Sequence, residues 1–285
     1  MTKPGSKSTP TGRHDGGRPT SPRWTGAPEA PNVARVRDYW LGGSHHGPRD
    51  RKLAEQFTVC APHLPYLVRT QRAFLARAVR YLVEAGIRQF LDLGSGLPTM
   101  GNVHQVAQRL DRSARVVYVD IDPVVAAESA LLLDGLDNTA YLCADLTEPD
   151  AVLQAPEVRR LLDPDEPTAV FLIDVLHMVP DALQPAETIS TYVNAFGPGS
   201  HVAISHICRD EGLLAAVTMF QQLFGIPVPE FTFRYPMDVV DLLAGLDIVE
   251  PGVVPIPFWR PNRAPEEDQN PENFRTCVAV ARREA

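Results

Sequence analysis

The sequence predicts an α/β fold, a Rossmann-like sheet of seven strands, mostly parallel and closed by an antiparallel C-terminal hairpin. Three observations carry this. Short apolar runs alternate with helical stretches from residue 88 to residue 205, and such regular alternation calls for parallel strands with helices on both faces. The first run ends in Gly94-Ser95-Gly96. The next strands each end in a carboxylate.

Taken in order, Arg88–Leu93 is the first strand, Asn102–Leu110 a helix and Ala114–Val119 the second strand. Pro123–Leu133 is a helix opened by a proline in its first turn, and Ala140–Cys143 the third strand. Ala151–Leu162 is helical, Ala169–Ile173 the fourth strand, Pro185–Phe196 a helix and His201–Ser205 the fifth strand. Gly212–Phe224 and Pro236–Ala244 are further helices. Asp247–Val254 and Arg275–Ala281 have no room between them for a crossover helix, so they pair antiparallel.

Ahead of this unit, Leu53, Phe57, Leu64, Leu67, Phe74, Leu75, Val79 and Leu82 recur at three- and four-residue steps, with Pro62 and Pro65 dividing the stretch into helices. Residues 1–28 are rich in Gly, Pro, Ser and Thr and carry Lys3, Lys7, Arg13, Arg18 and Arg23, a disordered basic tail by composition. The expected organisation is tail 1–28, N-terminal lid and helices 29–86, and a cofactor-binding domain 87–285.

Composition narrows the function. The net charge of −8 on 285 residues argues against a general nucleic-acid partner. No run of about 18 apolar residues exists, so no membrane partner is expected. The four cysteines are scattered without metal spacing, which points to a cytoplasmic protein with no disulfide and no metal site. Cys143 and Cys277 read as small core residues.

The chemistry lies at the strand ends. In Asp92-Leu93-Gly94-Ser95-Gly96-Leu97-Pro98-Thr99 the glycines allow close backbone approach to a ligand. A dinucleotide fingerprint would place a third glycine where Thr99 stands, and Pro98 disturbs the helix start that a pyrophosphate needs. The pattern suits a ligand without phosphate, such as S-adenosylmethionine. Gly94, Ser95 and Gly96 then cradle its amino-acid part, with Asp92 orienting the turn. Asp120, the first polar residue off the second strand, takes the ribose hydroxyls, with Ile121 beside it. Asp122 caps the following helix. Asp145 accepts from the adenine amino group and Leu146 covers the ring. Asp174 and His177, after the fourth strand, stand near the transferable methyl, with His177 as the candidate base.

The stretch from Pro31 to Gly43 (Pro-Asn-Val-Ala-Arg-Val-Arg-Asp-Tyr-Trp-Leu-Gly-Gly) resembles the N-terminal signature of a bacterial S-adenosyl methyltransferase family first described as a domain of unknown function. So do the stretch from Arg72 to Leu82 and the one from Gln89 to Thr99. Gly101-Asn102-Val103-His104, the stretch from Arg115 to Asp120, Leu176-His177, Gly199-Ser200, the stretch from Val249 to Val254 and Trp259-Arg260-Pro261 match as well. The resemblance implies a class I methyltransferase fold and S-adenosyl-L-methionine as cofactor, with Tyr39, Gly42 and Gly43 closing the site in a lid. The sequence departs from that family at Ser44-His45-His46-Gly47, at Trp40 and at Asp174. If the lid covers the cofactor, His45 and His46 become candidates for contact with the acceptor. The expected activity is methyl transfer to a small-molecule oxygen or nitrogen nucleophile. A non-catalytic S-adenosylmethionine sensor and a dinucleotide oxidoreductase are the rivals.

Overall fold

The structure, a computed structural model, describes residues 30–262 and 276–284; the tail expected over 1–28 lies outside them. Five strands run parallel: β1 (Gln89–Leu93), β2 (Arg115–Asp120), β3 (Thr139–Cys143), β4 (Thr168–Leu172) and β5 (His201–Ile207). Three more complete the sheet, β6 (Asp247–Ile248), β7 (Val254–Pro255) and β8 (Thr276–Arg282), in the order β3-β2-β1-β4-β5-β8-β6 with β7 also on β8. The last three pairings are antiparallel. Among the described residues the sheet therefore has eight strands where seven were expected. The stretch Asp247–Val254 is not one strand but two short ones, because Pro251 offers no ladder N–H and Gly252 takes φ +88° in the turn between them.

Strand alternation divides the core. Leu91, Leu93, Val117, Val119, Val170 and Leu172 face one side, while Phe90, Val116, Tyr118, Ala169 and Phe171 face the other. The first face is covered by α6 (Pro149–Leu153), α7 (Pro156–Leu161), α8 (Pro185–Asn194) and α10 (Pro236–Asp241). The helix expected over Ala151–Leu162 is thus two helices. Ala155, which precedes Pro156, is held extended at ψ 142° and interrupts it.

The second face is covered by α3 (Leu64–Glu84) and α4 (Val103–Leu110), together with Trp259. The stretch divides into two helices as expected: Pro62 lies in the break between α2 and α3, and Pro65 lies in the first turn of α3, where its missing N–H removes no helical bond. Of the remaining helices, α1 (Val33–Trp40), α2 (Pro48–Cys60) and α9 (Glu211–Phe224) share a smaller core built on Val36, Leu53, Ala54 and Phe220. Phe57 stacks on Phe220 at 4.2 Å between centroids. α5 (Pro123–Leu132) follows β2 and is capped by Asp122, which accepts from the Val124 N–H at 2.8 Å, as expected. Cys277 is buried as expected, but Cys143 is exposed, because it ends the edge strand β3.

No helix among the described residues is long and apolar enough to cross a membrane.

One buried cation fixes the segment after β4. Arg234, 4% exposed, donates to the carbonyls of Leu176 (2.9 Å) and Val179 (2.7 Å) and to Asp181 Oδ1 (2.9 and 2.7 Å), and its Nη1 lies 2.9 Å from His206 Nε2. Removing it would leave the Val179 carbonyl unsatisfied, whereas Leu176 O also accepts from the Val179 N–H at 3.2 Å and the Asp181 side chain is 75% exposed. Arg234→Ala is therefore expected to lower unfolding free energy by about 2 kcal/mol in urea titrations. A loss below about 0.5 kcal/mol would show that the clamp is not needed.

Candidate functional site

The chain winds from β1 outward to β3, returns, and continues from β4 to β5 on the other side. The crevice therefore opens at the C-terminal ends of β1 and β4, where the winding reverses. Around it stand Asp92 and Gly94–Gly96 after β1, Asp120 and Ile121 after β2, Asp145 and Leu146 after β3, and Asp174 and His177 after β4.

The glycine turn is pinned mainly by its own backbone. The N–H groups of Gly94 and Ser95 donate to the Val119 carbonyl at 2.8 and 3.1 Å, and that of Gly96 donates to Asp120 Oδ2 at 2.9 Å. Gly94 and Gly96 sit at φ +70° and +61°, conformations that favour glycine. A Cβ on Gly94 would lie 2.4 Å from Val175 Cγ2, so the residue also permits β1 and the post-β4 segment to meet. The carboxylate expected to orient the turn was that of Asp92. It makes no hydrogen bond among the described residues, and Asp120 and Val119 hold the turn in its place.

Asp120 Oδ1 accepts from the Asp122 N–H at 3.1 Å. Burial raises its pKa, and the backbone N–H donors oppose that. Asp145 Oδ1 accepts from the N–H and hydroxyl of Thr147 at 2.9 and 2.7 Å, and Leu146 packs partly against the sheet core.

Across these strand ends lies α1. Asn32 donates through Nδ2 to Asp122 Oδ2 at 2.5 Å, Arg35 pairs with Glu128 of α5, and Arg37 pairs with Asp174. Asp174 has φ +60°. Its N–H donates to Ser205 Oγ at 2.8 Å and its Oδ1 accepts from Gln71 Nε2 at 2.7 Å. Gln71 Oε1 in turn accepts from Arg37 at 3.1 Å, which closes a triangle.

The other members of the expected lid are placed differently. Tyr39 meets the edge of His46 (5.1 Å between centroids), with the Arg51 guanidinium 5.9 Å from its own centroid. Gly43 passes so close to Asp38 that a Cβ would come within 2.1 Å of Oδ1, and Gly42 turns at φ +78°. The glycine pair thus wraps the chain around buried Asp38, which accepts from the His45 N–H at 2.7 Å and lies 3.1 Å from His46 Nδ1. His45 and His46 line a concavity of about 800 Å³ with Arg35, Asp50, Glu128 and Leu131.

His177 is buried, its ring 5.3 Å from that of Phe231 and its Nδ1 3.9 Å from Asp174 Oδ1, without a hydrogen-bond partner for Nδ1 among the described residues. Burial, then His206, Arg37 and Arg234, push its pKa down to about 3, so the ring is neutral at physiological pH.

Comparison with known proteins agrees with this geometry. A family model described as S-adenosyl methyltransferase matches residues 27–284. The chain belongs to the S-adenosyl methyltransferase family. It is a methyltransferase whose cofactor is S-adenosyl-L-methionine. Its fold is similar to the crystal structure of a putative methyltransferase from Thermobifida fusca YX, with 35% identity, TM-score 0.79, and coverage of 90% of this chain and 96% of that one. It is similar also to a DUF574 family protein from Streptomyces avermitilis MA-4680, with 33% identity, TM-score 0.80, and coverage of 89% and 97%. No curated protein matches the chain.

The residues of this methyltransferase fit its cofactor. The glycine turn presents no side chain at 94 or 96, a carboxylate ends β2, and Asp92 is a buried acid with no hydrogen bond among the described residues. Sequence reasoning missed Asn32, Arg37, Gln71 and Arg72. Gln71 left a trace, since it interrupts the apolar stripe of α3 between Leu67 and Leu75 while being fully buried.

Asp92 gives a pH test. Burial raises its pKa to about 7, reinforced by Asp120 and opposed by Arg72. The folded state then holds this proton more tightly than the unfolded chain, so Asp92 costs stability as pH rises from about 4 through 7, at about 1.4 kcal/mol per unit. In the ligand-free protein, Asp92→Asn should gain stability over wild type progressively across that window, read as a urea midpoint difference near zero at pH 4 and largest at pH 8. A difference that stays constant with pH would place the proton elsewhere.

Proposed function

We propose that this methyltransferase modifies an oxygen or nitrogen nucleophile on a small molecule held beside His177. The observation that carries the reading is the His177 Nδ1, buried, neutral and unpaired, 3.9 Å from a carboxylate that Arg37 and Gln71 hold in place. S-adenosylmethionine supplies a methyl group on a sulfonium that leaves readily.

The protein's work is then mostly alignment, which can supply roughly 7–11 kcal/mol. Asp120 and Ile121 would hold the ribose, Asp145 and Leu146 the adenine, and the turn at Gly94, Ser95 and Gly96 would bring the backbone against the amino-acid part. His177 would accept a hydrogen bond from the acceptor and take its proton as the nucleophile gives it up. Asp174 would steady the imidazolium so formed. Phe231 offers the acceptor an apolar wall. α1 would act as a lid over the cofactor, tethered at Asn32, Arg35 and Arg37, with Tyr39, Gly42 and Gly43 shaping its far end. His45 and His46 stand at that end, bound to Asp38.

Two measurements test the reading. Asp120→Ala should weaken S-adenosylhomocysteine about tenfold to a hundredfold in calorimetry, and unchanged affinity would remove Asp120 from the ribose. His177→Gln should bind the cofactor normally but slow release of S-adenosylhomocysteine, in the presence of small hydroxyl and amine acceptors, by about a hundredfold or more. Undiminished turnover would remove the base.

The lid makes a separate prediction. S-adenosylhomocysteine should protect the amides of residues 32–43 from hydrogen exchange. Protection confined to the strand ends would make α1 a staple.

A further inference from the structure

The glycine turn has no free N–H to offer the carboxylate of an amino acid. The N–H groups of Gly94, Ser95 and Gly96 are all committed, to Val119 O and to Asp120. A zwitterion carries a carboxylate and an ammonium, and each requires a partner of opposite charge when it is taken out of water. The partner of the carboxylate must therefore be a side chain beside the turn, and a side-chain carboxylate there is a charged acceptor for the ammonium.

Arg72 of α3 is the cation that stands out. Arg35 is matched by Glu128, Arg37 by Asp174 and Gln71, Arg77 by the carbonyls of Trp259 and Ile256, and Arg234 by Asp181 and two carbonyls. Arg72 has only a neutral partner among the described residues, Asn102 Oδ1 at the start of α4. A guanidinium has five N–H donors, and one acceptor leaves most of them unused. Its stem passes 3.6 Å from where a Cβ of Gly101 would be, which places it against the loop that continues the glycine turn. Arg72 is within Coulombic reach of Asp92 and Asp38, and Arg37 is repelled by it.

Asp92 is its counterpart. It is 4% exposed, lies two residues before Gly94, and receives no hydrogen bond among the described residues. Arg72 and Asp92 feel each other's charge but make no hydrogen bond or ion pair with one another. Two opposite, under-partnered charges flanking a turn whose amides are spent match a zwitterion laid between them.

Resting on the cofactor assignment, we propose that Arg72 and Asp92 together bind the amino-acid end of S-adenosylmethionine, Arg72 taking the carboxylate and Asp92 the ammonium. Arg72 thereby becomes a cofactor-binding residue supplied by an N-terminal helix rather than by a strand end. Asp92 acts on the ligand, not on the glycine turn.

Calorimetry with three probes tests this: S-adenosylhomocysteine, its decarboxylated analogue, and methylthioadenosine, which lacks both charged groups. Wild-type protein should bind S-adenosylhomocysteine about tenfold to a hundredfold more tightly than the decarboxylated analogue. Arg72→Met should erase that preference while leaving methylthioadenosine unchanged. Asp92→Asn should weaken S-adenosylhomocysteine and the decarboxylated analogue together, again sparing methylthioadenosine. If Arg72→Met does not fold, Arg72→Lys, which keeps the charge but loses the fork, should reduce the preference several-fold.

Equal weakening of all three ligands in the Arg72 variants would make the residue structural and overturn the proposal. So would a wild-type protein that binds S-adenosylhomocysteine no better than the decarboxylated analogue. A wild-type protein that bound none of the three would overturn the cofactor assignment itself, and this site with it.

Discussion

Asp174 is the point where the N-terminal helices and the sheet meet in charge. Its backbone is fixed from the sheet side by the bond to Ser205 Oγ, and its carboxylate is taken from the other side by Arg37 of α1 and Gln71 of α3. Burying an ion pair is favourable only when further hydrogen bonds satisfy the desolvated atoms. Gln71 does this for both partners, with its amide on the carboxylate and its oxygen on the guanidinium. The triangle adds to the tethers at Asn32 and Arg35, and polar contacts matter for α1 because it shares only Val36 as a fully buried apolar residue with the core beneath it.

The same economy governs the charges around the crevice. Arg37 is lowered to about 9 by burial and by Arg72, Asp92 is raised to about 7 by burial, and His177 is lowered to about 3. Each group is pushed toward neutrality. Groups that resist their charged forms gain most from a ligand that brings the missing counter-charges with it. The aromatic neighbours of His177, Phe231 and beyond it Phe233, extend that low-dielectric setting past the imidazole.

Much of this was legible in the sequence, for identifiable reasons. A strand buried on both faces writes itself as an unbroken apolar run, so the residue that ends it is visible. Asp120 and Asp174 stood out in this way, and so did the glycine turn, because no other residue takes its backbone angles cheaply. Hydrophobic pattern reports which residues avoid water, and nothing about which polar group they meet. Gln71 therefore lies outside the apolar pattern, and nothing in that pattern tells what Arg37 and Arg72 meet. Asp92 was legible as the carboxylate that precedes the glycine turn. Its relation to the turn was not, because the groups that hold the turn, Val119 O and Asp120, lie on another strand. The split of Asp247–Val254 was foreshadowed by Pro251 and Gly252, whose meaning depends on a strand pairing that only the fold reveals.

The tethers of α1 differ in setting. Arg37 and Asp174 are largely enclosed, whereas the Glu128 side chain that meets Arg35 is about a third exposed, 34%. A cover that makes the same bonds before and after a ligand settles beneath it adds nothing to affinity, because those bonds cancel between the two states. It changes only how often the crevice opens. Spent and fresh cofactor would have to pass the same helix, so Arg35, Arg37 and Asn32 would act on the clock of turnover and leave its balance point alone. The outer pair would yield to added salt and the inner one would not.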